Sequence, residues 1–468
     1  MDYRTYVAHR LARIGPKYLP FADVASDEVP LGQLLRLSLF QVTVGMALVL
    51  LAGTLNRVMI VELGVPASLV ALMLALPLLF APLRALIGFK SDTYVSALGL
   101  RRAPFIWKGT LYQFGGFAIM PFALLVLSGY GDAADAPRWV GYSSAALAFL
   151  LVGAGVHIVQ TVGLALATDL VAEEDQPKVV GLMYVMLLFG MVISALILGA
   201  LLQPYTPGRL IQVIQGAAVV TVTLNLAALW KQEARSRERA AQMKARAPVR
   251  FADAWAALMQ VPGTVRMLAV IALGTFGFGM ADVLLEPYGG QVLGLSVAST
   301  TKLTALLATG TLAGFAIASR WLGQGAAAAG FARAGALIGL PGFAAIILSA
   351  QWIGSGVGLV LFLIGTLATG LGAGLFGHAT LTGVIRAAPK DGIGLALGAW
   401  GAVQATAAGL GIAGAGVLRD VVLAAQGGAA LPYIAVFSVE LVMLALAVFT
   451  LGPLIRRKTP RNVAARPS

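Results

Sequence analysis

The chain has 468 residues, of which 59% are hydrophobic and only 11% charged, and its formal net charge is +13. A soluble protein of this length could not cover its surface with so few charges, so the composition excludes a soluble globular protein. The absence of cysteine excludes disulfides, thiolate catalysis and metal centres held by cysteine. The basic residues cluster beside long apolar segments, so we attribute the positive charge to membrane orientation and not to nucleic-acid binding.

Apolar segments of about 20 residues recur along the whole chain, and each is long enough to cross a hydrocarbon core of about 30 Å. We predict about twelve spans in two bundles of six, 36–230 and 263–455. A cytoplasmic segment (1–35) precedes them, a basic cytoplasmic linker with an interfacial helix (231–262) joins them, and a cytoplasmic tail (456–468) follows. The predicted spans in chain order are 36–61, 67–89, 104–128, 139–168, 179–203, 209–230, 264–288, 298–320, 331–351, 356–385, 393–418 and 431–454.

The distribution of basic residues sets the predicted topology. About 26 of the 33 Lys and Arg lie in the N-terminus, the C-terminus and every second polar loop. Only Arg138, Arg209 and Arg419 lie in the alternate loops. This asymmetry predicts an all-α, multi-pass inner-membrane protein whose two termini face the cytoplasm.

Weak internal repetition relates the two halves. The segment Gly163–Gly181 aligns without gaps on Gly377–Leu395, and each copy contains a membrane segment, a charged loop and a second membrane segment. Two six-helix halves about an axis along the membrane normal are the arrangement of the major facilitator fold. The loop after span two supports this prediction, because its Gly88, Asp92, Arg101 and Arg102 resemble the facilitator loop pattern, although four extra residues follow Asp92.

Asp282 and Glu286 lie in span seven, where an ionisable side chain is costly unless it has a partner or a function. They stand at i and i+4 and therefore share one helical face. One interpretation is a polar site for a proton, a metal-type ligand or a partner contact. The other is a half-solvated structural pair at the outer end of the span, where we expect Pro287 to end the helix.

Asn56 and Arg57 lie near the outer end of span one, with Glu62 just beyond. Arg57 departs from the positive-inside pattern, so it needs a partner. We expect it to pair with Glu62 or, across the two bundles, with the acidic pair of span seven. A structural ion pair is the preferred interpretation, and the whole polar group is a candidate lock or partner contact.

His157 and Gln160 in span four and His378 in span ten are candidate pigment contacts. Neutral imidazole is a good axial ligand for the magnesium of a chlorophyll-type ring, and such pigments reside in membranes. The alternative is a histidine that is hydrogen-bonded within the bundle. We find no nucleophile turn and no phosphate-binding loop, so the sequence predicts a protein that is not an enzyme.

Several stretches resemble one known family, namely Leu34 to Val42, Gly53 to Leu63, Arg84 to Asp92, Gly277 to Tyr288 and Gly289 to Leu295. They are similar to the PucC/LhaA family of purple bacteria, also called the bacteriochlorophyll delivery family, within the major facilitator superfamily. The resemblance implies a facilitator-type fold and a role in assembling light-harvesting complexes in the inner or intracytoplasmic membrane. It implies bacteriochlorophyll as a transient ligand and antenna polypeptides as partners, and it carries over no catalytic residues.

We therefore predict an assembly factor that shields pigment in a lateral apolar groove and docks single-span antenna helices on its outer face. Bacteriochlorophyll synthase, the membrane insertion machinery and lipids are further expected partners. The alternative is a proton-coupled secondary transporter of a small solute or a porphyrin. The sparse polar content near mid-membrane argues against the transporter, because a soluble substrate needs polar partners there.

Overall fold

The computed structural model describes residues 29–79, 102–129, 135–171, 176–233, 259–387 and 393–456, with a few isolated positions between these ranges. Within them the chain is helical, and twelve helices correspond to the twelve predicted spans. Eleven are long and apolar enough to cross a membrane. The second in chain order is described over 13 residues only. The predicted all-α, multi-pass membrane fold is confirmed.

The helices are numbered here in chain order. The first half contains α1 (Leu31–Glu62), α2 (Ala67–Leu79), α3 (Ala103–Ser128), α4 (Arg138–Asp169), α5 (Gln176–Leu201) and α6 (Pro207–Leu229). The second half contains α7 (Thr264–Gln291), α8 (Val297–Gly323), α9 (Ala328–Ser349), α10 (Gly356–Ala387), α11 (Ile393–Gln426) and α12 (Leu431–Arg456).

The two halves are built alike. In the first half α1 packs on α5, and α3 packs on α4 and α6. In the second half α7 packs on α11, and α9 packs on α10 and α12. The halves meet where α2 contacts α11 and where α5 contacts α8. This repetition matches the predicted facilitator-type arrangement of two six-helix pseudo-repeats.

Helix α1 starts at Leu31, five residues before its predicted start at 36. The extra turn is stabilised because Leu34 and Leu37 are fully buried in the core. The outer part of α1 is π-helical over Val49–Leu55 and Val58–Glu62. Such wider turns are rare and frequent at functional sites, and these two flank the predicted polar residues of span one.

Helix α7 departs from the prediction, because it does not end at Pro287 but continues to Gln291. The prediction of a helix end at this proline was wrong, because Asn56 of α1 donates the hydrogen bond to Val283 that Pro287 cannot donate. The predictions for residues 1–28, for most of the linker and for the tail after 456 lie outside the described residues.

Candidate functional site

The two halves are joined at their outer ends, the side that the positive-inside pattern assigns to the outside. The hydroxyls of Thr54 on α1 and Thr301 on α8 lie 3.1 Å apart, and both residues are fully buried. The side-chain amide of Asn56 donates to the backbone carbonyl of Val283 on α7. We define the outer junction as these contacts together with those of Arg57 and Asp420.

Arg57 is buried at the outer junction, with 3% of its surface exposed. Its guanidinium forms an ion pair with Glu62 and donates to the carbonyl of Leu295, in the second half, at 3.1 Å. The structure therefore pairs Arg57 with Glu62, the first of the two partners considered. Tyr205 lies in the loop after α5 and interacts electrostatically with both Arg57 and Glu62. Burial together with the negative charge of Glu62 raises the pKa of its hydroxyl to about 12.

Asp420 on α11 completes the outer junction, although nothing in the sequence singled it out. Its carboxylate accepts hydrogen bonds from the backbone amides of Ala67 at 3.3 Å and Ser68 at 2.7 Å. These amides belong to the first turn of α2, where a helix has unpaired donors and favours negative charge. Arg419 donates to Asp420 at 2.8 Å and to Gln291 at 2.8 Å, so the carboxylate is held in place. The only sign of this role in the sequence was the position of Asp420 next to Arg419, one of the three outer arginines.

Asp282 and Glu286 share a helical face but not an environment. Glu286 is 3% exposed and accepts a hydrogen bond from the hydroxyl of Thr304, so of the two interpretations the half-solvated pair does not describe this residue. A Cβ atom on Gly53 of α1 would collide with the Glu286 carboxylate, which explains the glycine there. Asp282 lies one turn earlier and is exposed.

Glu440 on α12 is a further buried acid for which the sequence offered no role. It is fully buried, and neither carboxylate oxygen has a hydrogen bond among the described residues. It interacts electrostatically with Asp282 on the neighbouring α7. The described residues contain no group of three His, Asp or Glu side chains able to hold a metal ion.

The three candidate pigment contacts lie on α4 and α10, in different halves of the molecule. His157 and Gln160 are half-buried on α4, and each has an interaction partner. His378 on α10 is half-buried beside the ring of Phe315, with 4.1 Å between ring centroids. Its Nδ1 atom is buried and has no hydrogen bond within the described chain. An imidazole with an unused nitrogen beside an aromatic ring fits an axial ligand of a pigment.

The predicted loop motif is described only at its end. Gly88, Asp92 and Arg101 lie outside the described residues. Arg102 is buried and donates to the Ser91 hydroxyl at 2.5 Å and to the Asp169 carboxylate at 3.1 Å. Asp169 ends α4, so Arg102 ties the cytoplasmic ends of α3 and α4 together.

A groove of about 680 Å³ opens sideways between α1, α5 and α6. Its lining is apolar apart from Ser194, Gln203, Arg209 and Gln212. None of the pigment candidates lines this groove, so it lies apart from the candidate pigment contacts. We call it the lateral groove.

Known proteins resemble the chain along most of its length. The model of the PUCC protein family matches residues 54–459. "Protein PucC" of Rhodobacter capsulatus is 69% identical over 98% of this chain and 99% of its own length. The "Bacteriochlorophyll synthase 44.5 kDa chain" of the same species is 28% identical, over 82% of this chain and 86% of its own.

A solved bacterial homologue of the iron transporter ferroportin, in its inward-facing state, has a TM-score of 0.66. It is 18% identical and covers 91% of this chain and 98% of its own. At this identity the likeness shows a common fold and nothing about the substrate. The sequence match spans far more than half of the chain, and the chain therefore belongs to the PUCC protein family.

Proposed function

We propose that the protein is a non-enzymatic assembly factor for light-harvesting complexes. In this proposal it takes bacteriochlorophyll as cargo and docks antenna polypeptides in the inner or intracytoplasmic membrane of a photosynthetic bacterium. Membership of the PUCC protein family supports a photosynthetic role. The name of one relative, a bacteriochlorophyll synthase chain, supports a link to that pigment. Bacteriochlorophyll synthase and the membrane insertion machinery remain expected partners.

The observation that carries the proposal is that the polar residues near the interface of the two halves bond within the protein. Asn56, Arg57 and Glu286 are buried, and their side chains bond to other parts of the protein. A soluble solute would need such groups free in a central cavity. Asn56 and Arg57 thus join the halves, Glu286 bonds within the second half, and apolar surfaces are left to meet a hydrophobic cargo.

His378 is the residue best suited to touch the pigment. Its Nδ1 nitrogen makes no hydrogen bond within the described chain and is a neutral donor atom for magnesium, and the buried ring of Phe315 packs against the imidazole. A single imidazole gives a bond that forms and breaks, which suits a cargo that must leave. His157 and Gln160 are proposed as secondary contacts on the other half.

The second candidate function is proton-coupled transport of a small solute or a porphyrin. One observation favours it: Asp282 is an exposed carboxylate within a membrane span and interacts electrostatically with the buried Glu440. Intramembrane acids of this kind are typical of proton relays. Proton-coupled transport therefore requires the Asp282 carboxylate, and antenna assembly does not.

Purification from photosynthetic membranes in a mild detergent tests the proposal. We expect the wild-type protein to carry near-infrared pigment absorbance and antenna polypeptides, and His378→Ala to lose most of the pigment. His9→Ala, the same chemical change in the predicted cytoplasmic segment, is the matched control and should keep it. Pigment-free wild-type protein that catalyses proton-coupled uptake in vesicles would contradict the proposal.

A further inference from the structure

The lateral groove lies in the first half of the molecule. Helices α1 and α5 cross closely, since a Cβ atom on Gly45 would lie 2.7 Å from the carbonyl oxygen of Leu187. Helix α6 is joined to α1 by the buried hydrogen bond between Thr43 and Asn225, but it diverges from α5. In the second half the equivalent α12 packs more closely on α11. The groove is therefore a local opening between α5 and α6.

The chemistry of the lateral groove changes along its depth. Gln203 and Arg209 lie at its outer rim, and Val42, Met46 and Leu224 line its inner part. On the wall formed by α6, a side chain added at Gly216 would meet nothing within 4 Å. Along α6 the lining extends from Arg209 to Leu224, about 22 Å, so the groove offers an apolar channel that passes mid-membrane and has a polar mouth at the depth of lipid head groups.

Arg209 is the one charged residue that lines the lateral groove. It donates to the backbone carbonyls of Gln203 and Pro204, and no carboxylate pairs with it in the described part of the chain. Arg419, another of the outer arginines, pairs with Asp420. Among the described residues, Arg209 therefore presents a positive charge without a carboxylate partner, on a side of the membrane from which basic residues are otherwise largely excluded.

We propose that the lateral groove binds one anionic glycerophospholipid of the outer leaflet. Its phosphate pairs with the Arg209 guanidinium, and its acyl chains lie against the apolar walls. This inference goes beyond the proposed function and does not depend on it. The bound lipid would fill the gap between α5 and α6 and so stabilise the first half.

The lining of the lateral groove favours a lipid over a pigment. The lining residues include no histidine to bind a pigment magnesium. A chain-bearing amphiphile with a negative head is the occupant that the apolar walls and the charge of Arg209 favour.

Native mass spectrometry of the full chain, released from vesicles of equal phosphatidylglycerol and phosphatidylethanolamine, tests this inference. We expect the wild type to retain one phosphatidylglycerol per chain. Arg209→Gln should lower its preference for that lipid about fivefold, which corresponds to the ~1 kcal/mol that one basic residue contributes near a charged lipid surface. Gly216→Leu should lower the retention of both lipids, because the side chain occupies the groove.

Two matched controls separate the groove from general effects. Arg138→Gln removes another outer arginine, and Gly115→Leu adds the same side chain at another open glycine, on α3. Both should behave as the wild type does. Equal retention of the two lipids by the wild type, an equal loss with Arg138→Gln, or a pigment molecule released from the groove would overturn the inference. The two lipid-retention results would not bear on the pigment contact at His378.

Discussion

Asn56 donates its side-chain amide to the backbone carbonyl of Val283, the carbonyl that Pro287 leaves without a partner. In an uninterrupted helix the amide of residue 287 would bond this oxygen four residues back, but proline has no N–H. A side chain from the first half thus replaces a missing backbone bond in the second half. This replacement allows α7 to continue through the proline to Gln291.

A double-mutant cycle tests this relationship. Asn56→Ala should lower the free energy of unfolding by about 1–3 kcal/mol, because the buried Val283 carbonyl loses its donor. In a Pro287→Ala background the same change should cost less, because the new backbone amide bonds Val283. Denaturant unfolding in detergent measures all four variants. Additive effects would show that the two residues do not act on the same carbonyl.

Asp420→Ala should weaken the outer junction. The change removes the acceptor for the first amides of α2, and the loss of such a cap costs about 1–2 kcal/mol. The exposed Asp135→Ala is the control and should change stability little. The natural chain has no cysteine, so a single Ser68→Cys can report on the outer face. Its labelling by a membrane-impermeant maleimide should become faster with Asp420→Ala, and unchanged stability and labelling would argue against a role for Asp420 in closing this face.

Gly370→Ala should disturb the packing of α8 against α10. A Cβ atom at Gly370 would collide with the carbonyl of Leu307, so the helices must separate. Overpacking of this kind costs about 1–3 kcal/mol. Gly377→Ala, on the same helix, meets nothing within 4 Å and should be tolerated. Thermal unfolding of the two variants makes the comparison, and equal melting temperatures would contradict the close contact.

The membrane fold could be predicted because its signals are local. Span length and loop charge depend on neighbouring residues, and all twelve predicted spans correspond to helices. The end of α7 could not be predicted, because the partner of the Val283 carbonyl lies 227 residues away in the chain. The role of Asp420 escaped prediction for the same reason, since Ser68 is 352 residues away. Long-range hydrogen bonds leave no periodic pattern in a sequence.

In the candidate site, too, local relationships could be predicted and long-range ones could not. The sequence identified Arg57 and Glu62 as a possible pair because they are close in the chain, and the structure pairs them. It marked Arg209 as an exception to the charge pattern but contained nothing to show that α6 diverges from α5. The pigment contacts at His157, Gln160 and His378 stay predictions, since the structure gives their surroundings and not their ligand.

The central claim is that the protein assembles antenna complexes and does not pump protons with a solute. Asp282→Asn removes the exposed intramembrane carboxylate while keeping its shape, and Asp282 makes no hydrogen bond in the outer junction. The most direct measurement is the antenna absorbance of membranes from a strain that lacks the wild-type gene and carries this variant. We predict antenna absorbance close to that of the wild type. Loss of antenna absorbance with Asp282→Asn, accompanied by loss of proton-coupled uptake in vesicles, would contradict the account and favour the transporter.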